Sequence, residues 1–229
     1  MEAGTISANI AKVSRQVSTA ADKCGRAPEV IRIMAVSKTR PAREVRAAAA
    51  CGIVDFGENY LQEAVDKIEA CSDLDLCWHF IGPLQSNKTR AVAEHFDWVH
   101  SIDREKLLRR LNDQRPEDRG PLNVCIQVNI SAEDSKAGVL PSELEPLLAV
   151  AAAQPRLALR GLMAIPAPAA EFAAQRAPLD ALAELFSRAR ERYPSLDTLS
   201  MGMSADLEAA VTAGSTIVRI GTAIFGSRG

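Results

Sequence analysis

Short runs of β-branched and apolar residues alternate with longer amphipathic stretches along almost the whole chain, and this alternation restricts the fold more than any other feature. The eight runs are Ile31–Ser37, Ile53–Phe56, Cys77–Ile81, Trp98–Ser101, Asn123–Asn129, Ala158–Met163, Thr198–Ser200 and Thr216–Ile220. Strands that alternate with helical segments are typical of a parallel sheet built from βα units. Eight such units in a chain of 229 residues predict a single-domain (β/α)8 TIM barrel.

An additional helix is predicted before the first strand, over about Ile6–Lys23, with its apolar residues spaced three or four apart. A second clear amphipathic helix is predicted over Ala177–Arg192, after a long loop at Pro166–Pro178. We find no linker that would divide the chain, so residues 1–229 are interpreted as one domain. The alternative is a doubly wound open sheet, which would normally use fewer strands. A dinucleotide-binding version would also need G-x-G-x-x-G where this chain has Ser37-Lys38-Thr39-Arg40-Pro41.

Composition excludes several classes of function. The chain has 27 basic and 29 acidic residues, a net charge of −2, so no polyanionic partner such as nucleic acid is expected. The longest apolar run is too short for a membrane span, and the N-terminus lacks the pattern of a signal peptide, which favours the cytoplasm. Five cysteines without a C-x-x-C pair and three histidines without metal-site spacing predict neither disulfides nor a bound metal.

Lys38 is the sharpest candidate for chemistry. The carboxyl ends of barrel strands form the active face, and Lys38 comes directly after the first run. Alternation along a strand places it on the side of Met34 and Val36, which would be the barrel interior. Apolar surroundings favour the neutral amine, the form that attacks a carbonyl to make a Schiff base. The alternative is a lysine that ends the strand and reaches into solvent.

The ends of the seventh and eighth runs suggest an anion site. Phosphate sites in barrels often form from the loops after these two strands. Ser200 ends the seventh run, and Gly221 and Thr222 follow the eighth, where their backbone N–H groups meet little side-chain obstruction. Glycines that merely make tight turns are the alternative.

A reactive lysine facing an anion site indicates a phosphorylated aldehyde across the barrel mouth, and pyridoxal 5′-phosphate (PLP) has both groups. Its ring nitrogen would need a partner, and Arg219 is placed to reach it. An arginine stays charged and leaves the ring nitrogen unprotonated, which weakens the ring as an electron sink. That would limit carbanion chemistry.

Five motifs in this order resemble one known family. They are Ala35-Val36-Ser37-Lys38-Thr39, Phe56-Gly57-Glu58-Asn59-Tyr60, His79-Phe80-Ile81-Gly82-Pro83-Leu84-Gln85-Ser86-Asn87-Lys88, Leu199-Ser200-Met201-Gly202-Met203-Ser204 and Arg219-Ile220-Gly221-Thr222-Ala223-Ile224-Phe225-Gly226. The chain resembles the pyridoxal phosphate homeostasis proteins, which share their barrel with the N-terminal domain of alanine racemase. The resemblance covers essentially residues 6–226.

The resemblance implies a role for each candidate residue. Lys38 would carry PLP as an internal aldimine, Arg219 would face the ring nitrogen, and Asn59 would lie beside the ring. Ser200, Gly221 and Thr222 would hold the phosphate. The resemblance also implies a carrier or regulator of PLP that affects amino-acid balance and has no established turnover.

Two enzymatic alternatives remain open at this stage. A PLP-dependent racemase or decarboxylase could use the same site, but a two-base racemase needs a second acid or base opposite the lysine. With nine residues after Ile220, no domain that could supply one is expected, and Tyr60 and Tyr193 are poor candidates. The second enzymatic alternative is a Schiff-base aldolase that acts on a sugar phosphate through Lys38. We expect a monomer that makes at most transient contact with PLP-dependent apo-enzymes.

Overall fold

Eight parallel strands, one from each predicted run, close into a barrel in sequence order in the computed structural model, which describes residues 3–133 and 136–227. The strands are β1 Arg32–Val36, β2 Asp55–Glu58, β3 Cys77–Phe80, β4 Trp98–Ile102, β5 Leu122–Gln127, β6 Leu157–Met163, β7 Thr198–Ser200 and β8 Ile217–Ile220. Because β8 pairs with β1, the sheet has no free edge. The (β/α)8 prediction is confirmed and the open sheet is excluded.

Helices cover the outside of the barrel. They are α1 Ala3–Lys23, α2 Ala42–Ala49, α3 Leu61–Ala70, α4 Thr89–His95, α5 Glu105–Gln114, α6 Leu144–Ala152, α7 Phe172–Arg192, α8 Leu207–Thr212 and α9 Thr222–Phe225. The additional N-terminal helix is confirmed: its stripe of Ile6, Ile10, Val13 and Val17 is buried in the core cluster outside the barrel. None of the helices within the described residues has the length and apolarity to cross a membrane.

Helix α7 begins earlier than the sequence predicts. The prediction places Pro178 at the end of a loop, because proline fits only the first turn of a helix without loss of a hydrogen bond. The structure carries the helix through Pro178 and starts it at Phe172. The extra turn is held by the side chain of Gln175, which donates to the backbone oxygens of Ala169 at 2.9 Å and Ala205 at 3.3 Å.

Side chains alternate between the barrel interior and the helical layer. On β1, Ile33 and Ala35 pack with the outer core, whereas Val36 and the following Lys38 line a cavity at the barrel mouth. The predicted inward direction of Lys38 therefore agrees with the alternation.

A smaller apolar cluster surrounds Trp98 inside the barrel. This side chain is buried with Cys125 and Met163 in a separate interior cluster. The guanidinium groups of Arg32 and Arg160 lie 5.0 and 5.1 Å from its ring centroid. Such cation–π contacts are favourable and stabilise the buried indole ring.

Candidate functional site

A cavity of about 360 Å³ opens at the carboxyl ends of the strands. We call it the mouth cavity. Its volume lies in the range of small-molecule sites. The lining residues come from the ends of several strands and the loops after them: Val36, Lys38, Arg40, Asn59, Ile81, Ile165, Met203, Ser204, Ala205, Arg219, Gly221 and Thr222. The cavity is thus where a barrel normally binds its ligand.

The lining of the mouth cavity is basic. Among the described lining residues, the ionisable ones are Lys38, Arg40 and Arg219, and none is a carboxylate. Arg40 also donates to the backbone oxygen of Gly226 at 2.6 Å, which fixes its guanidinium at the rim. Cations around an apolar floor give a positive potential that attracts an anionic ligand.

Lys38 is half-buried and sits between two constrained neighbours. Ser37 is fully buried, and Thr39 adopts a left-handed backbone conformation with φ of +64°. That conformation is strained for a β-branched residue and persists only where surrounding contacts hold it. The backbone N–H of Thr39 donates to Glu63 Oε1 at 2.5 Å, which supplies such a contact.

A buried ionic cluster behind this segment fixes its backbone. Lys67 Nζ donates to the backbone oxygen of Ser37 and to Glu58 Oε1, both at 2.6 Å, and the Ser37 hydroxyl donates to the same Glu58 oxygen at 2.6 Å. Lys67 also pairs with Glu63 at 2.6 Å. Burial raises the pKa of Glu58, and the contacts with Lys67 and Ser37 offset that rise only in part. The cluster holds the strand end that presents Lys38.

Arg219 lies on β8, the strand that pairs with β1, and forms the neighbouring part of the wall. It is 4% exposed, and it donates to the backbone oxygens of Ser200 at 2.5 Å and Ala164 at 2.8 Å. Burial lowers its pKa to about 10, so the guanidinium remains charged at neutral pH. These fixed backbone acceptors on neighbouring strand ends restrict the orientation of the guanidinium in the cavity.

The turn after β7 brings Ser204 into the cavity and leaves Ser200 behind it. Gly202 has φ of +95°, and a Cβ atom there would lie 2.3 Å from the Cβ atom of Ala210, so only glycine fits this turn. Ser204 lines the cavity beyond the turn. The hydroxyl of Ser200, in contrast, is fully buried and bonded within the barrel, and it is not part of the cavity lining.

Gly221 and Thr222 are placed as the sequence predicts, side by side on the wall next to β1. They begin helix α9, and the first N–H groups of a helix have no acceptor within that helix. A Cβ atom at 221 would lie 3.4 Å from the Val36 carbonyl oxygen, an ordinary contact distance, so the approach of β8 to β1 does not itself require glycine here.

Asn59 follows β2 and also lines the cavity. Its Oδ1 atom is buried and has no hydrogen-bond partner within the described part of the chain. A buried amide oxygen without a donor is costly. An amide side chain offers both a donor and an acceptor, so a polar ligand in the cavity would satisfy it.

One group of side chains in the described residues has the composition of a metal site, and it lies at the other end of the barrel. The ligand atoms of Asp55, Cys77 and His79 lie within 4.8 Å of one another. Asp55 already accepts from His79 at 2.8 Å and from Arg32 at 3.3 Å. Burial and the nearby carboxylates raise the pKa of Cys77 to about 12, so it is a neutral thiol. The arginine and the protonated thiol both disfavour a cation here.

The structure therefore brings together five of the six predicted residues, namely Lys38, Asn59, Arg219, Gly221 and Thr222. The sequence interpretation missed Arg40 and Ser204 as lining residues. A basic residue two positions after Lys38 was the available signal for Arg40. Ser204 follows the same glycine-containing turn as Ser200, and only the course of that turn shows which serine reaches the cavity.

The fold and the position of this site define the class of protein. The family described as alanine racemase, N-terminal domain, matches residues 8–229, and the chain belongs to that family. Within it the chain belongs to the pyridoxal phosphate homeostasis proteins, as the motif resemblance implies. The protein of that name from Pseudomonas aeruginosa is 58% identical over 225 residues, 98% of this chain and 96% of the relative. The one from Escherichia coli K12 is 56% identical over 226 residues, 97% of each.

A solved structure supports the same assignment. PipY of Synechococcus elongatus, determined with PLP bound, is 35% identical and superposes with a TM-score of 0.84. The match covers 96% of this chain and 100% of PipY. The two chains therefore share the whole barrel and not only a part of it.

Proposed function

We propose that this protein binds PLP in the mouth cavity and serves intracellular PLP homeostasis as a carrier or regulator, without catalytic turnover. The observation that carries the proposal is the lining, which combines a lysine amine with an arginine and a glycine-containing turn and in which no described residue is a carboxylate. A phosphorylated aldehyde requires such a combination of an amine and an anion site. The relatives are named for PLP homeostasis, and PipY was solved with PLP bound.

Each lining residue has a proposed role. Lys38 Nζ condenses with the PLP aldehyde, forming a Schiff base and releasing one water. Arg219 faces the ring nitrogen, and Asn59 lies beside the ring, where its unpartnered Oδ1 supports a polar contact.

The phosphate group is proposed to lie on Gly221 and Thr222, with Ser204 as the third contact. The sequence interpretation gives that third place to Ser200. Because the Ser200 hydroxyl is buried and engaged by His100 and Arg219, we propose that it supports Arg219 and that Ser204 takes the phosphate.

The lining also supports a role without turnover. A two-base racemase needs a second acid or base opposite the lysine. Among the described lining residues there is no tyrosine, histidine, cysteine or carboxylate. Tyr193 donates to Glu145 on the outer helical layer, and Tyr60 is 53% exposed at the start of α3. Neither reaches the cavity.

The remaining parts of the proposal concern the whole protein. Residues 1–229 form one PLP-binding domain that works in the cytoplasm as a monomer. Its contacts with PLP-dependent apo-enzymes are transient, and neither nucleic acid nor membranes are partners. Light scattering of the purified protein would measure its molar mass in solution. A mass that corresponds to a stable dimer would contradict the proposed monomer.

The decisive experiment is a visible absorption spectrum before and after incubation with PLP. We expect a yellow protein whose absorbance is removed by borohydride, with the label on Lys38 by peptide mapping. Lys38→Ala should lose this absorbance while retaining weaker PLP binding, because Gly221, Thr222 and Arg219 remain. Lys88→Ala, which removes an exposed lysine away from the cavity, is the matched control. A colourless protein that does not bind PLP would refute the proposal.

The absence of turnover needs its own measurement. Amino acids incubated with the PLP-loaded protein in deuterated water should show no exchange at the α-carbon above the rate of free PLP. Faster exchange that depends on Lys38 would show that the protein is a racemase or decarboxylase instead.

A further inference from the structure

A line of hydrogen-bonded polar side chains runs through the barrel interior to Arg219. Asp55 Oδ1 lies 2.8 Å from His79 Nε2, and His79 Nδ1 lies 2.9 Å from His100 Nε2. His100 Nδ1 lies 2.8 Å from the Ser200 hydroxyl, which lies 3.0 Å from Arg219 Nη1. We call these five residues the interior relay.

The interior relay joins the two ends of the barrel. Asp55 is the first residue of β2, whereas Ser200 is the last residue of β7, and Arg219 lines the mouth cavity. His79 and His100 lie in the middle of β3 and β4. The relay thus crosses from one side of the barrel to the other. Asp55 is far from the cavity lining and yet is connected to it.

The relay is almost completely shielded from water. His79, His100 and Ser200 are 0% exposed, and the side chain of Asp55 is 14% exposed. Buried polar groups must find partners among themselves, because a buried donor or acceptor without a partner loses its hydrogen bonds to water and gains nothing in return. A network with all its partners in place specifies one arrangement.

The two ends of the relay determine the direction of every hydrogen bond. Arg219 can only donate, so the Ser200 oxygen accepts from it. The Asp55 carboxylate can only accept, so His79 Nε2 carries a proton and donates. A neutral imidazole has one donor and one acceptor, and His79 Nδ1 therefore accepts from His100 Nε2. His100 Nδ1 then accepts the hydroxyl proton of Ser200.

This assignment leaves no proton and no lone pair in conflict. Burial lowers the pKa of His79 and lowers that of His100 well below its ordinary value, which agrees with two neutral rings. Burial alone would raise the pKa of Asp55, but the contacts with His79 and Arg32 outweigh it, which agrees with an ionised carboxylate. Both histidines are therefore Nε2–H tautomers.

We propose that Asp55, His79, His100 and Ser200 are positioning residues, which hold the Arg219 guanidinium in one orientation through a relay that donates in a single direction, from Arg219 to Asp55. Because Arg219 donates to the Ser200 hydroxyl, a change at Asp55 reaches the cavity without any contact with the ligand. The effect on PLP rests on the function proposed above, whereas the tautomers and the order of Arg219 belong to the protein alone.

The first test uses the wild-type protein without ligand. Nitrogen-15 NMR of the imidazole rings should show His79 and His100 as neutral Nε2–H tautomers near neutral pH. The side-chain N–H signals of Arg219 should exchange slowly with solvent. An Nδ1–H tautomer or a charged ring at either histidine would overturn the relay. This measurement tests the relay even if a variant fails to fold or PLP does not bind.

The second test changes the far end of the relay. Asp55→Asn can donate as well as accept, so it should give mixed tautomers at His79 and faster exchange at Arg219. It should also shift the absorption maximum of the PLP-loaded protein and weaken PLP binding roughly threefold to tenfold, the effect of about one hydrogen bond. Asp55→Glu restores an acceptor and should recover the wild-type tautomers.

A matched control separates the relay from a general loss of stability. Asp197→Asn removes a carboxylate at the same end of the barrel that pairs with Arg160 and is outside the relay. It should leave the tautomers, the Arg219 exchange and the absorption maximum unchanged. Ser200→Ala should reproduce the Arg219 effects of Asp55→Asn. If both relay variants leave Arg219 exchange as in the wild type, positioning through the relay is wrong.

Discussion

Gly82 lies against the backbone of Asn59 so closely that no side chain fits between them. A Cβ atom at position 82 would stand 2.3 Å from the carbonyl oxygen of Asn59 and 2.7 Å from its Cα atom. Atoms do not approach to such distances, so the two segments after β2 and β3 are in contact only because residue 82 is glycine. The contact supports the part of the cavity wall that Asn59 forms.

Gly82→Ala should therefore displace Asn59 and weaken PLP binding. Loss of one polar contact corresponds to about five- to tenfold in the dissociation constant, measured by titration of the absorption spectrum. Gly52→Ala is the control, because it has open space around it and φ of +89°. That change should cost about 1 kcal/mol of stability from its backbone conformation and leave PLP binding unchanged.

Gly161→Ala should be strongly destabilising. A Cβ atom there would lie 1.7 Å from the backbone oxygen of Thr198 on the adjacent strand, so β6 and β7 would have to separate. We expect a loss of about 3 kcal/mol in the free energy of unfolding, measured in urea. Gly4→Ala, at the second residue of helix α1 and with nothing within 4 Å, should instead be tolerated, with a gain of at most about 0.5 kcal/mol. Equal effects of the two changes would contradict the close strand contact.

Lys67→Met should destabilise the protein because it leaves Glu58 without its cationic partner. Both side chains are almost completely buried, at 5% and 0% exposed. Removing one partner of a buried ion pair costs about 3–5 kcal/mol, which chemical denaturation would measure. Lys23→Met breaks the exposed pair with Glu208, at 57% and 52% exposed, and should cost at most about 1 kcal/mol. Adding Glu58→Gln to Lys67→Met should recover part of the loss.

The buried histidines predict a loss of stability in mild acid. Burial lowers the pKa of both His79 and His100 from 6.5, so the unfolded chain binds protons that the folded protein does not. Their contribution to stability is present above pH 6.5 and is lost as the pH falls from there toward the folded-state values. Two such groups give a slope of at most about 2.7 kcal/mol per pH unit. Midpoints of urea unfolding that stay constant between neutral pH and about pH 5 would contradict this predicted loss of stability.

The barrel could be predicted because each strand corresponds to an apolar run between amphipathic stretches. Strand β2 shows the limit of that signal, since it is predicted at Ile53–Phe56 and found at Asp55–Glu58. Gly57 and Glu58 have no apolar side chain. The space at Gly57 is filled by Met34 of the neighbouring strand, because a Cβ atom at 57 would lie 2.7 Å from the Met34 sulfur. A contact between strands cannot be read from one run alone.

The cavity residues could be predicted where position in a strand decides them. Lys38 and Arg219 lie at or just beyond strand ends whose alternation fixes their side. The choice between Ser200 and Ser204 depends on the positive φ of Gly202, which sequence spacing does not provide. The interior relay could not be predicted from the sequence either. His79 and His100 are 21 residues apart and come within hydrogen-bond distance only when β3 and β4 pair.

The inside of the barrel is filled by side chains, including the buried indole of Trp98 with Arg32 and Arg160 near its ring. Because the packed interior offers no passage, we expect a ligand of the mouth cavity to enter and leave at the carboxyl ends of the strands. On the proposal of transient contacts with apo-enzymes, those enzymes would bind at this end of the barrel, and substitutions on the surrounding surface would change transfer without changing the cavity.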